Sequence, residues 1–418
     1  MLEANLINER NRALKPVRLL PFIALAPAAL MFSCFAQAED DRFITALKGG
    51  TPTLNMRLRY EEVGVDVPNP IAHEDEATAL TLRTRLGYQT GKLGGFDAYG
   101  EFEDTHVVSG VDDYTPESPG YAVIADPRVT EVNQSFIRYT GSETLNGLVT
   151  TYGRQRIIYD NARFVGNVGW RQDEQTYDAA KLDYGTDNFA LSAAHISQVN
   201  SITPALDNFS DSVLANAKWK SAPGGALTAY GYMLKPKYKG DFDTTDTYGV
   251  RYEGGMSAGN VKLLLALEYA DQSRQAALTA VDNDVTYSLV EAGASIAGVT
   301  VKVAQEVLGS DNGLYGFQTP LATKHAFNGW ADKFLVTPAA GLEDRYIFAT
   351  TNVAGIKLAA AYHQFSADSG GQDYGTETDL VALKKIGPYT VGIKYADYKA
   401  DTFSVDTDKL WGWAEMSF

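Results

Sequence analysis

The sequence predicts an all-β protein: a transmembrane antiparallel β-barrel of about 18 strands, with short periplasmic turns and long extracellular loops. Three observations lead to this fold class. The amino-terminal segment resembles a secretory signal peptide, apolar and polar residues alternate along the remaining chain, and short connections alternate with long ones. The formal net charge of −16 excludes a basic nucleic-acid-binding domain, so no nucleic acid is expected as a partner.

Residues 1–38 are predicted to be a cleaved signal peptide. The basic residues at its amino end are Arg10, Arg12, Lys15 and Arg18. An apolar run follows, and the small-residue sequence at 36–38 is typical of a cleavage site. A membrane-anchoring helix is the alternative, but Pro21 and Pro27 disfavour it. Because the single cysteine, Cys34, lies inside this segment, the mature chain is expected to fold without disulfides.

Residues 39–418 are predicted to form one barrel domain, because period-two alternation continues along all of this segment. In the strands expected near 54–61 and 80–89, leucines on one face lie opposite arginines on the other. The further strands are expected near 95–109, 131–140, 147–158, 174–184, 188–198, 211–220, 225–235, 244–254, 260–270, 284–294, 298–308, 343–353, 355–366, 376–386, 388–398 and 409–418. Each is close to the roughly 9–11 residues that a tilted strand needs to cross a membrane.

The connections distinguish this barrel from a soluble β-sandwich, whose strands alternate as well. Short connections rich in Gly, Asn, Ser and Pro separate the strands at one end. Long connections are expected at 63–76, 110–130, 159–173, 199–210, 236–243, 271–283, 309–342, 367–375 and 399–408. Strict alternation of the two classes is typical of outer-membrane barrels. The predicted location is therefore the bacterial outer membrane, with outer-membrane lipid and lipopolysaccharide around the chain and a monomer favoured.

Energetics indicate which strand face looks inward. An arginine that faces lipid at mid-membrane costs roughly 2–4 kcal/mol, whereas one that faces a wet lumen costs little. The wall arginines predicted to line the lumen are Arg57, Arg59, Arg83 and Arg85. In the strand near 147–158, the residues predicted to face inward are Tyr152, Arg154 and Arg156, and those predicted to face outward are Val149 and Ile157.

A basic and aromatic stretch, residues 153–175, ends the fifth strand and forms the third extracellular loop. Its arginines are Arg154, Arg156, Arg163 and Arg171. If this loop folds into the lumen, it narrows the channel, and together with the wall arginines it forms a positive constriction that favours anionic solutes. In the alternative interpretation, these arginines pair with Asp160, Asp173, Glu174 and neighbouring carboxylates and keep the loop folded.

The longest loop, 309–342, is predicted either to gate the lumen or to plug it. The residues assigned to this role are Tyr315, Phe317, His325 and Trp330. The five histidines have no metal-ligand spacing, and no phosphate-binding or hydrolase motif is present. No catalytic residue, metal or cofactor is therefore predicted, and the chain is not expected to be an enzyme.

Two stretches carry a family resemblance: GRQRIIYDNARFVGNVGWRQDEQTYDAAKL at 153–182 and GFQTPLATKHAFNGWADKFLVTPAAGLED at 316–344. They resemble motifs of the alginate-export family of outer-membrane porins. The resemblance implies an eighteen-stranded barrel and an arginine-rich channel that passes an acidic polysaccharide outward. The last strand, which ends at Phe418, is similar to the carboxy-terminal signature by which outer-membrane barrels are recognised for insertion.

The predicted function is a porin-like channel for passive diffusion or export of small or polymeric anionic solutes. One alternative is a solute-specific uptake porin for small organic acids, and another is a plugged structural or adhesive barrel. An outer-membrane lipase or protease would need a nucleophile and a base near the outer rim, and the sequence shows no such pairing.

Overall fold

The computed structural model describes residues 40–66, 76–142, 145–237, 243–276 and 282–418. The predicted signal peptide lies outside the described residues. Within the described ranges, no helix is long and apolar enough to cross a membrane.

Within the described residues, one short helix precedes the strands. It is α1 (Asp40–Lys48). The strands are β1 (Thr51–Val65), β2 (Glu76–Gln89), β3 (Phe96–Asp113), β4 (Val129–Thr140), β5 (Leu148–Gln155), β6 (Thr176–Gly185), β7 (Phe189–Asn200), β8 (Asn208–Ala222), β9 (Gly225–Leu234), β10 (Thr244–Ala258), β11 (Val261–Gln275), β12 (Asp282–Ile296), β13 (Val299–Leu308), β14 (Leu342–Val353), β15 (Ile356–Ser366), β16 (Asp373–Ile386), β17 (Tyr389–Ala400) and β18 (Thr407–Ser417). Two 3₁₀ turns, Pro204–Leu206 and Lys324–Ala326, lie in the long loops.

The strands form one closed antiparallel sheet. Each strand pairs with its neighbours in sequence, and β1 also pairs with β18, where Arg57 lies opposite Glu415. Closure leaves no strand edge, so the backbone groups are satisfied within the sheet as a membrane requires. Over the described residues the sheet has 18 strands, and the predicted fold class is confirmed.

The two faces of each strand differ as the alternation predicts. On β1 and β2, Leu58 is 41% exposed and Leu86 57%, whereas Arg57 and Arg83 are 5% and 2% exposed. Apolar side chains can face lipid without cost, while charged ones need the polar interior. The wall arginines therefore lie on the inner face, where two long loops cover them.

The face prediction for β5 and the residues after it was wrong for Tyr152, Ile157 and Val149, and Arg154, also predicted to face inward, lies in the same row as Tyr152. Tyr152 is 62% exposed on the outer face, Ile157 is fully buried in the interior, and Val149 lies opposite Asp183 on the inner row. The strand ends at Gln155, so the chain has already turned into the lumen before Ile157. Because threonine and glycine occupy much of this strand, its sequence offers little contrast between an apolar and a polar face.

The interior is filled by two loops, named here L3 (residues 156–175) and L7 (residues 309–341). Their apolar side chains form a buried cluster with the inner faces of β6–β18 that includes Ile157, Phe164, Phe317 and Phe334. A parallel bridge joins Val165 of L3 to Leu321 of L7. The functional groups of the lumen are therefore positioned by loops that pack against each other as well as against the wall.

Candidate functional site

L3 is held against the wall by arginines that donate to its backbone. Arg57 donates to the carbonyl oxygens of Gly169 at 3.2 Å and Trp170 at 2.9 Å, and also to that of Arg171. Its Nε donates to Oε1 of Gln172 at 2.9 Å. Arg59 also donates to the carbonyl of Trp170. Two neighbouring guanidinium groups thus satisfy the carbonyl oxygens of a loop segment that has no strand partner of its own.

Arg171 connects L3 to both the wall and L7. Its guanidinium lies 3.0 Å from Glu61 of β1 and 2.8 Å from Asp332 of L7. Burial alone would lower the pKa of Arg171, but Glu61, Asp332 and Asp126 outweigh it and raise that pKa. Arg171 is therefore a permanently charged link between three segments, fully desolvated and fully paired.

Arg156 and Glu174 close the other end of L3. Arg156 lies 2.9 Å from Glu101 of β3 and also pairs with Glu174. Burial would raise the pKa of Glu174, but Arg85 and Arg156 lower it to about 2. Arg85 pairs with Glu103 as well as with Glu174. The alternative interpretation, in which the loop arginines pair with carboxylates and keep the loop folded, is therefore correct for Arg156 and Glu174.

Two of the acidic residues in L3 behave differently from Glu174. Asp160 lies 3.3 Å from Lys218, not beside an arginine. Both carboxylate oxygens of Asp173 are buried without a hydrogen-bond partner among the described residues. Burial, with Glu131 and Glu103 nearby, holds the pKa of Asp173 well above its ordinary value, because burial and neighbouring carboxylates both disfavour the charged form.

Arg163 joins L3 to L7. Its Nε lies 2.7 Å from Glu306 of β13, and its Nη2 donates to Oδ1 of Asn328 at 3.0 Å. Nearby, the amide of Gly166 donates to the carbonyl oxygen of Leu321 at 2.8 Å. The contacts bring L3 and L7 together inside the lumen, beside β13.

The four residues assigned to L7 lie inside the barrel. Phe317 is fully buried and packs edge-on against Phe164, with 5.9 Å between ring centroids. Arg274 lies 4.7 Å from the ring centroid of Tyr315. Burial lowers the pKa of His325 well below its ordinary value even though Asp332 opposes this. The imidazole stacks on Trp170 at 4.8 Å and its Nδ1 lies 2.7 Å from Asp332.

Trp330 belongs to an aromatic cage around a wall lysine. Nζ of Lys394 lies 3.7 Å from the ring centroid of Trp330 and 4.3 Å from that of Trp170. The same Nζ is 2.7 Å from Nε2 of His325. Whether L7 gates or plugs the lumen stays a prediction, but its central part is fixed by aromatic and charged contacts.

Most of the eight predicted arginines are neutralised. Nine carboxylates form ion pairs with them: Glu61, Glu101, Glu103, Asp126, Glu174, Asp178, Glu306, Asp332 and Glu415. A set of paired arginines attracts an anion weakly, because the field of each cation is cancelled at short range. The positive constriction therefore depends on the arginines that are least compensated.

Arg57 and Arg83 are the least compensated. They lie directly opposite each other across β1 and β2. The described contacts of Arg57 are with neutral oxygens. Arg83 donates to Oδ1 of Asn55 at 2.6 Å and reaches Glu415 only at 3.4 Å. Its Nε and Nη1 are buried and lack a partner in the described parts of the chain.

Arg154 occupies a different place from the other seven. It lies at the outer end of β5 in the same alternating row as the outward-facing Tyr152, pairs with Asp178 at 2.8 Å and donates to the carbonyl oxygen of Val132. Its contribution to a constriction stays a prediction. The described residues include no group of three or more histidine, cysteine, aspartate or glutamate side chains arranged to hold a metal ion.

Several residues of the site have no signal in the sequence. Asp126 comes from the second long loop, yet it pairs with Arg59 and accepts from the amide of Gln172 at 2.8 Å. Lys394 lies on a strand near the other end of the chain. Only Gln172 could have been found, since it lies within the basic stretch already selected.

Comparison with known proteins supports the fold and the resemblance. The family described as alginate export matches residues 109–313, a segment that includes all of L3. None of the curated proteins matches the chain.

Solved structures match over almost the full barrel. The BenF-like porin from Pseudomonas fluorescens Pf-5 has a TM-score of 0.69 at 13% identity, covering 89% of this chain and 100% of that one. Pseudomonas aeruginosa OccK9 (OpdG) has a TM-score of 0.68 at 14% identity, covering 89% and 100%. Pseudomonas aeruginosa OpdK, solved with vanillate, has a TM-score of 0.66 at 16% identity, covering 89% and 99%. The predicted family resemblance and outer-membrane location are confirmed.

Proposed function

Because the chain is an eighteen-stranded, porin-like channel of the bacterial outer membrane that matches the alginate-export family over residues 109–313, we propose that it conducts small organic anions. The Arg57–Arg83 pair carries the proposal. Passage would be passive, by diffusion along a gradient and without chemistry at the site. The matched family and structures are described as export and porin proteins, which agrees with this. We further propose that the barrel acts as a monomer in lipid and lipopolysaccharide.

The electrostatic argument starts from the pair itself. Like charges directly opposite each other in a sheet destabilise it, and each buried donor left without a hydrogen-bond partner costs about 1–3 kcal/mol. A carboxylate that bound between Arg57 and Arg83 would relieve both costs, since it would accept from the free Nε and Nη1 of Arg83. The side chain of Glu415, which borders Arg83, is 30% exposed. The side of Arg83 that borders Glu415 is therefore the side closest to water.

The packing of the loops favours a small solute over a polymer. Val165 and Phe317 are 1% and 0% exposed, and Val165 forms the bridge to Leu321 that joins L3 to L7 inside the lumen. A small anion needs only a narrow passage along the arginine wall, whereas a polymer would need the two loops to separate. The likeness to OpdK, whose structure holds the aromatic carboxylate vanillate, is consistent with a small organic acid.

Export of an acidic polysaccharide is the second candidate function. The match to the alginate-export family favours it, because the matched residues include L3 and all its arginines. The two candidates make different demands on L7: the small-anion channel works with L7 in place, and the polymer channel needs L7 displaced.

The test is ion selectivity in planar bilayers. We expect the purified protein to conduct steadily with a reversal potential that indicates anion preference, and the Arg57→Gln/Arg83→Gln variant to lose most of it. Arg345→Gln is the matched control, because Arg345 is exposed and pairs only with Glu343 in the described chain. An unchanged reversal potential in the double variant would remove the pair from the selectivity argument.

Solute competition distinguishes the two candidates. Benzoate at increasing concentration is expected to reduce the chloride current through the wild-type channel, and a uronic-acid oligomer of equal total charge is expected to have little effect. The reverse order would favour the polymer. Absence of any conductance, with the barrel folded, would favour the plugged structural or adhesive barrel.

A further inference from the structure

The helix α1 lies at the turn end of the barrel, outside the sheet. Its carboxy-terminal carbonyl groups are held by the end of β2 and by the turn that follows: the hydroxyl of Tyr88 donates to the carbonyl oxygen of Leu47, and the amide of Gly91 donates to that of Ala46 at 2.8 Å. Carbonyl groups at a helix end have no partner within the helix. The docking is therefore specific, and it fixes the position of the helix.

Tyr88 shows on which side of the wall the helix lies. It belongs to the outward row of β2, two positions after Leu86, and is itself 39% exposed. At the same end of the barrel, Phe96 of β3 and Tyr389 of β17 are 49% and 48% exposed. Aromatic residues in such a row mark the level at which the bilayer meets water. The helix is thus tied to the lipid-facing surface at the periplasmic edge of the membrane.

The helix is amphipathic. Its exposed apolar face consists of Phe43, Ile44 and Leu47, which are 36%, 44% and 39% exposed. Asp41, Arg42, Thr45 and Lys48 lie on the remaining surface and are also exposed. A short helix with an apolar face and a charged polar face is suited to lie flat in a headgroup region, with its apolar side chains among the upper acyl carbons.

From these contacts we infer that α1 is an interfacial anchor, which inserts Ile44 and Leu47 into the periplasmic leaflet of the outer membrane. The occupant of the apolar face is phospholipid. Continuity carries this assignment, because the helix is bonded to a member of the aromatic row that already faces lipid. The basic side chains of Arg42 and Lys48 then reach the phosphate groups of the same leaflet. The anchor is independent of the solute that the channel conducts.

The experiment uses the full barrel, residues 39–418, which contains no native cysteine, in nanodiscs of phosphatidylethanolamine and phosphatidylglycerol that hold one protein each. An environment-sensitive fluorophore is attached at Ile44→Cys and, as the matched control, at Thr45→Cys on the polar side of the same turn. We expect nitroxide groups on the acyl chains to quench the label at position 44 at least about twofold more than the label at position 45. An aqueous quencher should show the opposite order.

Other outcomes overturn the inference. Equal quenching of both labels by the aqueous reagent would show that α1 is in water. Protection of position 44 only when two barrels share a disc would assign the face to a second copy, and protection only after a periplasmic extract is added would assign it to a protein.

The variant Ile44→Asp/Leu47→Asp provides a second measurement. It is expected to keep the conductance and ion preference of the wild type, while a label at Phe43→Cys in that background loses its acyl-chain quenching. Retained quenching would contradict the anchor. Because conductance is measured in the same preparation, failure of the anchor can be distinguished from failure of the proposed channel function.

Discussion

Two nearby regions of the wall, β1–β2 and β16, hold the backbones of the two loops with charges of opposite sign. On the β1–β2 side, Arg57 and Arg59 donate to carbonyl oxygens of L3. On the β16 side, Oε1 of Glu377 accepts from the amide of Ala331 in L7 at 2.7 Å. Each wall matches the backbone groups that the loop presents to it, because a loop without a strand partner exposes either carbonyl oxygens or amide hydrogens. The main role of these charged wall side chains is thus to position the loops, and solute selection is secondary.

The two regions also differ in how far their charged side chains are neutralised by ion pairs. The L3 side combines arginines with many carboxylates, whereas on the β16 side Asp379 forms one ion pair among the described residues, with Nε2 of His363 at 3.7 Å. Removal of a paired cation should therefore lower the stability of the protein more than removal of a single acceptor of an amide hydrogen bond. The predictions below test this ranking, from the largest expected effect to the smallest.

Arg171→Met should cause the largest loss. It leaves Glu61 and Asp332 buried without their cation, which typically costs about 3–5 kcal/mol. Thermal unfolding in detergent and proteolysis of L3 are the measurements. Arg345→Met, at an exposed ion pair, is the control and should change stability by less than about 1 kcal/mol. Equal effects would mean that burial of the Arg171 network contributes nothing.

Glu377→Ala should have a smaller and more local effect. It removes the acceptor of the Ala331 amide and should destabilise L7 by about 1–3 kcal/mol. Hydrogen exchange of residues 327–333 should become faster while that of L3 is unchanged. Glu377→Gln keeps an acceptor oxygen and should restore much of the protection. If L3 exchanges equally fast in the alanine variant, the two loops are not held separately.

Acid should weaken the attachment of L7. The folded-state pKa of His325 lies below the ordinary value of 6.5, because burial disfavours the imidazolium despite Asp332. Below about pH 6.5 the unfolded chain binds a proton that the folded chain excludes, so stability falls by up to about 1.4 kcal/mol per pH unit. The groups facing His325 are Asp332, Lys394 and Trp170.

This pH dependence can be measured by hydrogen exchange of L7 between pH 7 and pH 5. His325→Asn should flatten the profile between pH 6.5 and pH 5. The depressed pKa of Asp332, which burial opposes but His325, Lys409 and Arg171 maintain, acts in the same direction but only nearer pH 4. A profile that stays steep in the asparagine variant would assign the titration to another group.

The smallest effects are expected on the lipid-facing wall. Tyr152→Leu should alter stability by only about 0.5 kcal/mol, because Tyr152 faces outward. Ile157→Ala, only five positions later, should cost about 2–5 kcal/mol, because Ile157 is fully buried between the loop and the wall. Unfolding of the two variants in the same detergent is the measurement. The opposite ranking would support the faces predicted from the sequence.

The sequence predicts the strands of the barrel wall well, because one face of each strand contacts lipid and the other faces the polar interior. Leu86 and Arg85 are adjacent and face lipid and lumen, so their alternation is visible directly. The same reasoning fails where apolar and polar residues do not alternate clearly, as around Tyr152. It also missed α1, whose few residues directly follow the predicted signal peptide.

The interior of the site was only partly predictable. The arginines of L3 were visible because they are concentrated in one short stretch. Their partners were not, since Asp126 and Glu306 come from distant segments that approach L3 only after the barrel has closed. The sequence therefore predicts a positive constriction from these arginines. The carboxylates that neutralise them can be identified only in the tertiary structure.

The bridge between Val165 and Leu321 also has a mechanical consequence. L3 joins β5 to β6 and L7 joins β13 to β14, eight strands apart in the ring of 18 described strands, so the bridged loops form a strut across the lumen. Lateral pressure from the bilayer can flatten a hollow eighteen-stranded barrel into an elliptical cross-section, because a sheet bends easily between neighbouring strands. A strut resists that flattening, so cutting either loop should make the cross-section of the cylinder more compliant without opening a single strand pair.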